Sequence, residues 1–300
     1  MLPKFPHFKK LELSDKADIE AITSKYPPYS DFNFTSMWCW DIKGEMRICE
    51  LNGNLVVRFS DYITSEPFFS YLGENEVNDT AQKLIKLAKK SDLEESLKLV
   101  PSDSVKNIDP TIFNIIEDRD NFDYIYSLTN LSFYSGSKLK TQRNLLNSFL
   151  RKYKEVTRQE SILGSDCDES NLIGLYKTWE YNNGFEVPHE LSAFTKLLNS
   201  KKYGETFVIT IFCNNKPIGF SINEQLNSHA VNCLFAKGDI SYSGVNAYLM
   251  NETAKILCAR GYTEMNYEQD LGIFNLRKAK EAFDPTFLKK YQLSLVVNVE

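Results

Sequence analysis

The sequence predicts a mixed α/β (α+β) protein of two tandem domains, 1–132 and 133–300, each a central, mostly antiparallel sheet flanked by helices. Three observations predict it. A chain of 300 residues suits two domains of about 150 each, and either can bury a core. Alternating apolar runs meet at tight-turn signals, which marks hairpins. The order of helix and strand patterns in the second half follows that of the first without repeating its sequence.

Ser14 is a good N-cap for a helix running to about Tyr26, where Pro27-Pro28 stops it. Met46–Phe59 contains MRICEL and LVVRF around Asn52-Gly53, the pair that favours a type I′ hairpin turn. From Thr80 to Lys90 the apolar residues Ala81, Leu84, Ile85, Leu87 and Ala88 recur at helical spacing. Strands follow at Leu97–Val100 and Phe122–Tyr126. In the second half, helices are expected at Arg143–Lys154, Glu169–Tyr181 and Glu190–Asn199. Phe207–Cys213 and Ile218–Asn223 form a hairpin about Asn214-Asn215-Lys216-Pro217, and Ala230–Phe235 adds a third strand. A turn over Lys237–Gly244 leads into a helix at Val245–Arg260. Thr263–Tyr267 is then a strand, Phe274–Phe283 a helix and Phe287–Val297 a final strand. This is the element order of the GNAT acyltransferase fold, and two such halves predict a tandem arrangement joined near Ser127–Lys138.

Composition excludes several function classes. A hydrophobic content of 42% with 25% charged residues is that of an ordinary globular protein, and 13% aromatics favour large cores or grooves. A net charge of -5 and a pI near 5.5 exclude whole-surface attraction to nucleic acid or anionic lipid, so such a contact must use a local basic patch. No run approaches the ~20 apolar residues that cross a bilayer, and MLPKFPHFKK lacks the apolar core of a signal peptide. Six scattered cysteines without a CxxC pair read as reduced, mostly buried thiols, which sets the expectation of a cytoplasmic protein with no metal site. No two of the 13 glycines lie closer than Gly238 and Gly244, so neither GxGxxG nor a Walker loop is present. The three histidines, His7, His189 and His229, match no HExxH pattern, and no GxSxG elbow exists.

The stretch NYEQDLGIFNLRKAKEAFDP, Asn266 to Pro285, gathers Glu268, Asp270, Arg277, Lys278, Lys280 and Glu281 around a turn at Gly272. A strand ending in carboxylates before a helix that presents cations suits a polar site; a solvated charged face is the structural alternative. A second block, KLKTQRNLLNSFLRKY with its continuation, sets seven cations between Lys138 and Arg158 against one acid, Glu155. That stripe suits a tRNA acceptor stem or a lipid phosphate, and equally a solvated helix face. The turn FAKGDISYSGVNAY, Phe235 to Tyr248, lies between a strand and a helix, where free N–H groups suit an anion. Of the residues that acetyl-CoA-dependent GNAT enzymes show at this turn, only Gly244 matches.

These blocks, together with PPYSDFNFTSMWCWD (Pro27–Asp41) and DRDNFDYIYSLTNL (Asp118–Leu131), resemble in content and order the phosphatidylglycerol lysyltransferase C-terminal catalytic domain family. The turn keeps that family's Lys237, Asp239 and Gly244 but has Ala236 where the family shows an acidic residue. Arg143 with Asn144 matches the family's Arg-Asn pair and is expected to contact phosphate. The resemblance implies a tandem GNAT-like enzyme that moves an aminoacyl group from the acceptor end of aminoacyl-tRNA to a lipid head group or another small acceptor, without a resident cofactor. It is more distantly similar to the Fem-type peptidoglycan aminoacyltransferases. No segment matches the membrane flippase region of lipid-modifying relatives, so phosphatidylglycerol is one acceptor among several and membrane contact is at most peripheral.

Aminoacyl transfer needs a base for the attacking amine or hydroxyl and positive charge near the oxyanion. Glu268 or Asp270 supplies the first, and Lys237, Arg277 or Lys280 the second. Asn266, Asp239, Gly244, Arg143 and Tyr124 complete the expected substrate-binding set, with Tyr124 and Tyr126 on one strand face. An ion-pair network fixing the last helix explains Asp270 and Arg277 equally well. Two other functions stay open: an acyl-CoA-dependent N-acyltransferase using acetyl-CoA or another acyl-CoA, and a non-catalytic binding protein on the same scaffold.

Overall fold

The structure, a computed structural model, describes residues 1–183, Val187, 189–200 and 206–296. It divides into two compact units. The first comprises Met1–Asp123, Gln269–Ile273 and Phe287–Glu300, and the second Tyr124–Glu268 and Phe274–Thr286. The boundary thus falls at Asp123/Tyr124 rather than at residue 132, and the C-terminal segment returns to the first unit instead of completing the second.

The chain begins with β1 (Lys9–Lys10), α1 (Lys16–Thr23), α2 (Phe34–Trp40), β2 (Arg47–Leu51), β3 (Asn54–Ser60) and β4 (Pro67–Leu72). It continues through α3 (Val77–Lys90), β5 (Ser96–Pro101), α4 (Ser102–Val105) and β6 (Phe113–Glu117). Then come β7 (Asp123–Ser127), α5 (Leu128–Phe133), α6 (Lys140–Lys152), β8 (Val156–Ile162), α7 (Glu169–Asn183) and α8 (Glu190–Asn199). The last elements are β9 (Thr206–Cys213), β10 (Lys216–Gln225), β11 (Ala230–Gly238), α9 (Val245–Ala259), β12 (Glu264–Asn266), α10 (Phe274–Glu281), β13 (Thr286–Leu288) and β14 (Lys290–Leu295). Among the described residues, two seven-stranded sheets result, in the orders β1-β2-β3-β4-β5-β14-β6 and β13-β7-β12-β11-β10-β9-β8.

In the first unit, Asn52 and Gly53 take left-handed conformations, as a type I′ turn requires, and β2 pairs β3 in register from Arg47↔Arg58 to Leu51↔Asn54. Strand alternation sends Ile48, Val57 and Phe59 against Phe32, Phe34 and Met37, while Cys49, Val56 and Tyr71 pack with Leu84 and Ile85 of α3. Ser14 does not cap α1; a 3-10 turn over Leu13–Asp15 precedes it, and Asp15 accepts the Glu12 N–H instead. Among the elements that escape the sequence patterns, α2, β4 and β6 show why. In α2, FTSMWCW, five of seven residues are buried, so no polar stripe marks it. In β4 every residue but Pro67 is buried, which removes the alternation. The edge strand β6 exposes four of its five residues, which removes it from the other side.

The expected final strand, Phe287–Val297, is two strands, and Val297 lies outside the described residues. β14 inserts between β5 and β6, antiparallel to both. The first residue of β14 explains the placement. Lys290 is fully buried and forms ion pairs with Asp31 and, at 2.8 Å, with Asp123. Ser30 donates to Asp123 through N–H (2.8 Å) and hydroxyl (2.6 Å), while Tyr62 (2.8 Å) and Gln269 (2.9 Å) donate to Asp31. A buried ammonium is tolerable only where carboxylates meet it, and they lie in the first unit.

In the second unit β9, β10 and β11 form the expected meander, with the β9–β10 turn confined to Asn214 and Asn215, both at positive φ; Lys216 and Pro217 already belong to β10. Alternation sends Phe220 of β10 toward α8, where it stacks on Phe194 (5.6 Å), and Ser221 toward Thr253 of α9. The edge strand β8, mostly exposed, was not expected. Gly244, at φ 88, is the N-cap of α9. A Cβ there would lie 2.8 Å from the Leu145 carbonyl oxygen, so α6 approaches as closely as it does because the residue is glycine.

Candidate functional site

β11 and β12 run parallel and pair only over Ala230–Asn232 and Glu264–Asn266. Beyond those residues the strands part. No ladder hydrogen bond joins them there, because β12 ends at Asn266 while β11 runs on to Gly238. A pocket of about 40 Å³ lies beside this parting, with Cys233 and Ala236 of β11, Tyr267 beyond β12, and residues of α9 in its walls.

Several sequence-predicted residues collect at this parting. Lys237, buried, sends its ammonium to both carboxylate oxygens of Glu190 at 2.8 Å. The ammonium also lies 3.6 Å from the Trp179 ring centroid and 5.5 Å from that of Tyr176, and the Tyr176 hydroxyl donates to Glu190 at 3.0 Å. An aromatic face and a bidentate carboxylate together replace the water a buried ammonium loses. Glu268 sits at φ 56, held by the Asn266 side chain, which accepts its N–H at 2.8 Å. Its carboxylate accepts from Asn232 at 3.1 Å. Lys280, also buried, donates to the Tyr267 carbonyl at 2.6 Å beneath the Tyr124 and Tyr267 rings. Burial pushes the Cys233 thiol well above its ordinary range, with Glu268 raising it further and Lys280 and Lys237 opposing. Burial likewise raises the Tyr267 hydroxyl, with Cys233, Glu190, Tyr134 and Glu268 adding to the effect. Cys233 thus senses Glu268, Lys280 and Lys237, and Tyr267 senses Glu190 and Glu268.

Other expected site residues have different occupations. Asp270 belongs to the first unit, where it pairs with Arg119 at 3.1 Å and accepts the Gly272 N–H at 2.8 Å; Glu268 belongs to the second. Arg143 donates to the carbonyls of Tyr134 (2.5 Å) and Gly136 (3.2 Å) at the end of α5, a cap for a helix C-terminus. Asp239 accepts from Asn182 and from the Ser241 hydroxyl and N–H, which orders the turn before α9. Arg277 is half-buried on α10. Tyr124 and Tyr126 are both fully buried and lie in one core cluster with Leu131 and Met265, and Tyr126 donates to the Lys280 carbonyl at 2.8 Å. The basic stripe is partly engaged as well, since Lys138 pairs with Asp284 and Arg158 with Glu252.

Sequence reasoning missed Glu190, Tyr176 and Trp179. Glu190 begins a helix, where an acid complements the dipole and draws no notice. The available signal was Ala236: a lysine whose expected acidic neighbour is missing needs a carboxylate from elsewhere.

Comparison with known proteins decides the family. The model of the phosphatidylglycerol lysyltransferase C-terminal family matches residues 23–294. The chain belongs to that family. Among solved structures, a conserved protein of unknown function from Bacteroides thetaiotaomicron superposes with a TM-score of 0.81 at 25% identity, covering 99% of this chain and 100% of that one. L-PGS from Bacillus licheniformis gives a TM-score of 0.62 at 12% identity over 95% of this chain and 92% of that one, a likeness of fold. An uncharacterised protein of Mycoplasmoides gallisepticum is 23% identical over 178 residues, 58% of this chain, which spans only 56% of that relative's length. The fold of this lysyltransferase-family chain is the mixed α/β, GNAT-like one that its element order predicts. Among the described residues, no helix is long and apolar enough to cross a membrane.

Proposed function

We propose that the protein is an aminoacyltransferase that takes an aminoacyl group from charged tRNA and places it on a lipid head group or another small acceptor. The observation that carries this reading is that β11 presents both the Lys237 ammonium, paired with Glu190, and Asn232, which donates to the Glu268 carboxylate, in a chain of the lysyltransferase family. The acceptor's amine or hydroxyl attacks the ester carbonyl, forming the new acyl bond as the ribose oxygen leaves. Glu268 takes the acceptor's proton, and the leaving oxygen recovers a proton from it. Lys237 and Lys280 supply positive charge at the developing oxyanion. Glu190, with Trp179, fixes the Lys237 ammonium so that little reorganisation accompanies the step. Asp270, bonded to Arg119 and the Gly272 N–H, leaves Glu268 as the carboxylate suited to the proton.

The test pairs binding with turnover. Charged tRNA is expected to raise the melting temperature, and acetyl-CoA to leave it unchanged. With labelled aminoacyl-tRNA and a panel of lipid and amine acceptors, Glu268→Gln and Lys237→Ala are each expected to lower transfer by about 10²-fold or more. Stabilisation by acetyl-CoA alone would replace this reading with the acyl-CoA one, and no response to any donor would favour a binding scaffold.

A further inference from the structure

We infer that the chain pairs with a second copy of itself through β8, edge to edge and antiparallel, with Gln159 at the two-fold axis. The inference stands on the second unit alone and is independent of the aminoacyl-transfer reading. β8 is the outer strand of its sheet, and among the described residues it pairs only with β9, over all seven of its residues and without a bulge. Its sequence, VTRQESI, holds neither the lysine nor the proline that commonly blunts an edge. Thr157, Arg158, Gln159 and Glu160 are all exposed.

The ladder to β9 decides which backbone groups are left for a partner. At the two ends of the strand, the Asn214 N–H donates to the Glu155 carbonyl (3.0 Å) and the Leu163 N–H to the Thr206 carbonyl (3.0 Å). Antiparallel bonding alternates along a strand, so the odd-numbered residues bond to β9 while Val156, Arg158, Glu160 and Ile162 turn N–H and C=O outward. The turn after β8 occupies those of Ile162. Its N–H donates to Asp166 Oδ1 at 2.6 Å, and its carbonyl accepts from the Ser165 N–H at 3.1 Å. The open centre of the edge is therefore Arg158 and Glu160, one residue to either side of Gln159.

Charge then selects the register. Two copies can bond only where outward-turned residues stand opposite one another. Centred on Gln159, Arg158 meets the partner's Glu160 and Glu160 meets the partner's Arg158, each pair exchanging N–H and C=O. Thr157 comes opposite Ser161 and Val156 opposite Ile162, so the strand complements its own reverse. The neighbouring registers of the same parity, centred on Arg158 or on Glu160, oppose two guanidinium groups or two carboxylates and are disfavoured. Arg158 and Glu160 project from one face of the sheet, where Arg158 already pairs with Glu252, and Glu160 with Arg260 at 2.8 Å. Pairing sets these ion pairs of the two copies side by side with alternating sign. Charges that turn away a foreign edge thus admit this one.

Sedimentation equilibrium of the full chain across the micromolar range tests the inference, and the native chain is expected to show a monomer–dimer equilibrium. Arg158→Glu sets glutamate opposite glutamate in this register, and Glu160→Arg sets arginine opposite arginine. Each variant alone is expected to dimerise about tenfold or more weakly than the native chain. Mixed in equal amounts, the two variants restore opposite charges at both pairs and are expected to recover the dimer. Glu160→Pro removes one outward N–H and leaves the ladder to β9 intact, and is expected to weaken dimerisation as well, which provides a readout if a charge variant fails to fold. A native chain that stays monomeric, or variants that dimerise as it does, would overturn the inference. Folded single variants that remain monomeric on mixing would overturn it too, since recovery separates this register from mere damage to the strand.

Discussion

Asp31, Asp123 and Lys290 set two carboxylates and one ammonium in a space closed to water. Burial pushes Asp31 above its ordinary carboxylate value, against the pull of Lys290, and the neighbouring Asp123 charge adds to the rise. Burial alone would lower Lys290, but Asp123 and Asp31 raise it and keep it charged. A carboxyl whose folded value is raised contributes stability that is fully present below its unfolded value and lost as pH rises through the folded one. Asn at this position imitates the protonated acid at every pH. Asp31→Asn is therefore expected to compare worst with the native chain near about pH 4 and to gain on it as pH rises toward neutrality, read from urea unfolding at several pH values. Among the exposed acids, Asp79 and Asp109 are held below the ordinary range by hydrogen bonds from Lys83 and Thr111, and they act in the opposite sense.

None of this was legible residue by residue. Ser30 and Asp31 stood in a block that matched the family, but a sequence does not show which lysine answers a buried aspartate. The same holds for Lys237, whose expected role drew attention while its partner Glu190 looked like an ordinary helix-start acid.

At the scale of elements, the meeting of α6 and α9 at Gly244 is the sharpest test. Replacing Gly244 by alanine imposes a side chain at φ 88 and sets its Cβ 2.8 Å from a carbonyl oxygen of α6. Gly244→Ala is expected to cost about 2–4 kcal/mol in chemical denaturation, since left-handed backbone and overpacking both count against it. Elements with one wet face were readable: the β2–β3 hairpin through Asn52-Gly53, α3 through Leu84 and Ile85, and α8, expected and observed at Glu190–Asn199. Elements wrapped by protein or left at an edge were not, because α2 and β4 lack a polar period and β6 lacks an apolar one.

For the molecule as a whole, the chain leaves the first unit after Asp123, returns for Gln269–Ile273, leaves again and closes it with β14. A linear reading gave each half its own contiguous sequence. Long-range pairing carries no local period, so the exchange of the last strand was out of reach. A chain ending at Leu288 would keep β13 and lose β14, stranding Asp31 and Asp123 in the first unit without their ammonium. Such a truncation is expected to destabilise the first unit by about 3–5 kcal/mol or more, the scale for removing one partner of a buried ion pair. Amide exchange would report it as lost protection in β2–β5 with β9–β11 retained.

That interleaving also dictates an order of events during synthesis. A ribosome has emitted β1 to β6 long before β14 exists, yet β14 is the strand that joins β5 to β6. The segment holding β1 to β6 thus has to wait with an unfilled slot in its sheet until β14 has been made, while the meander made in between can already have settled.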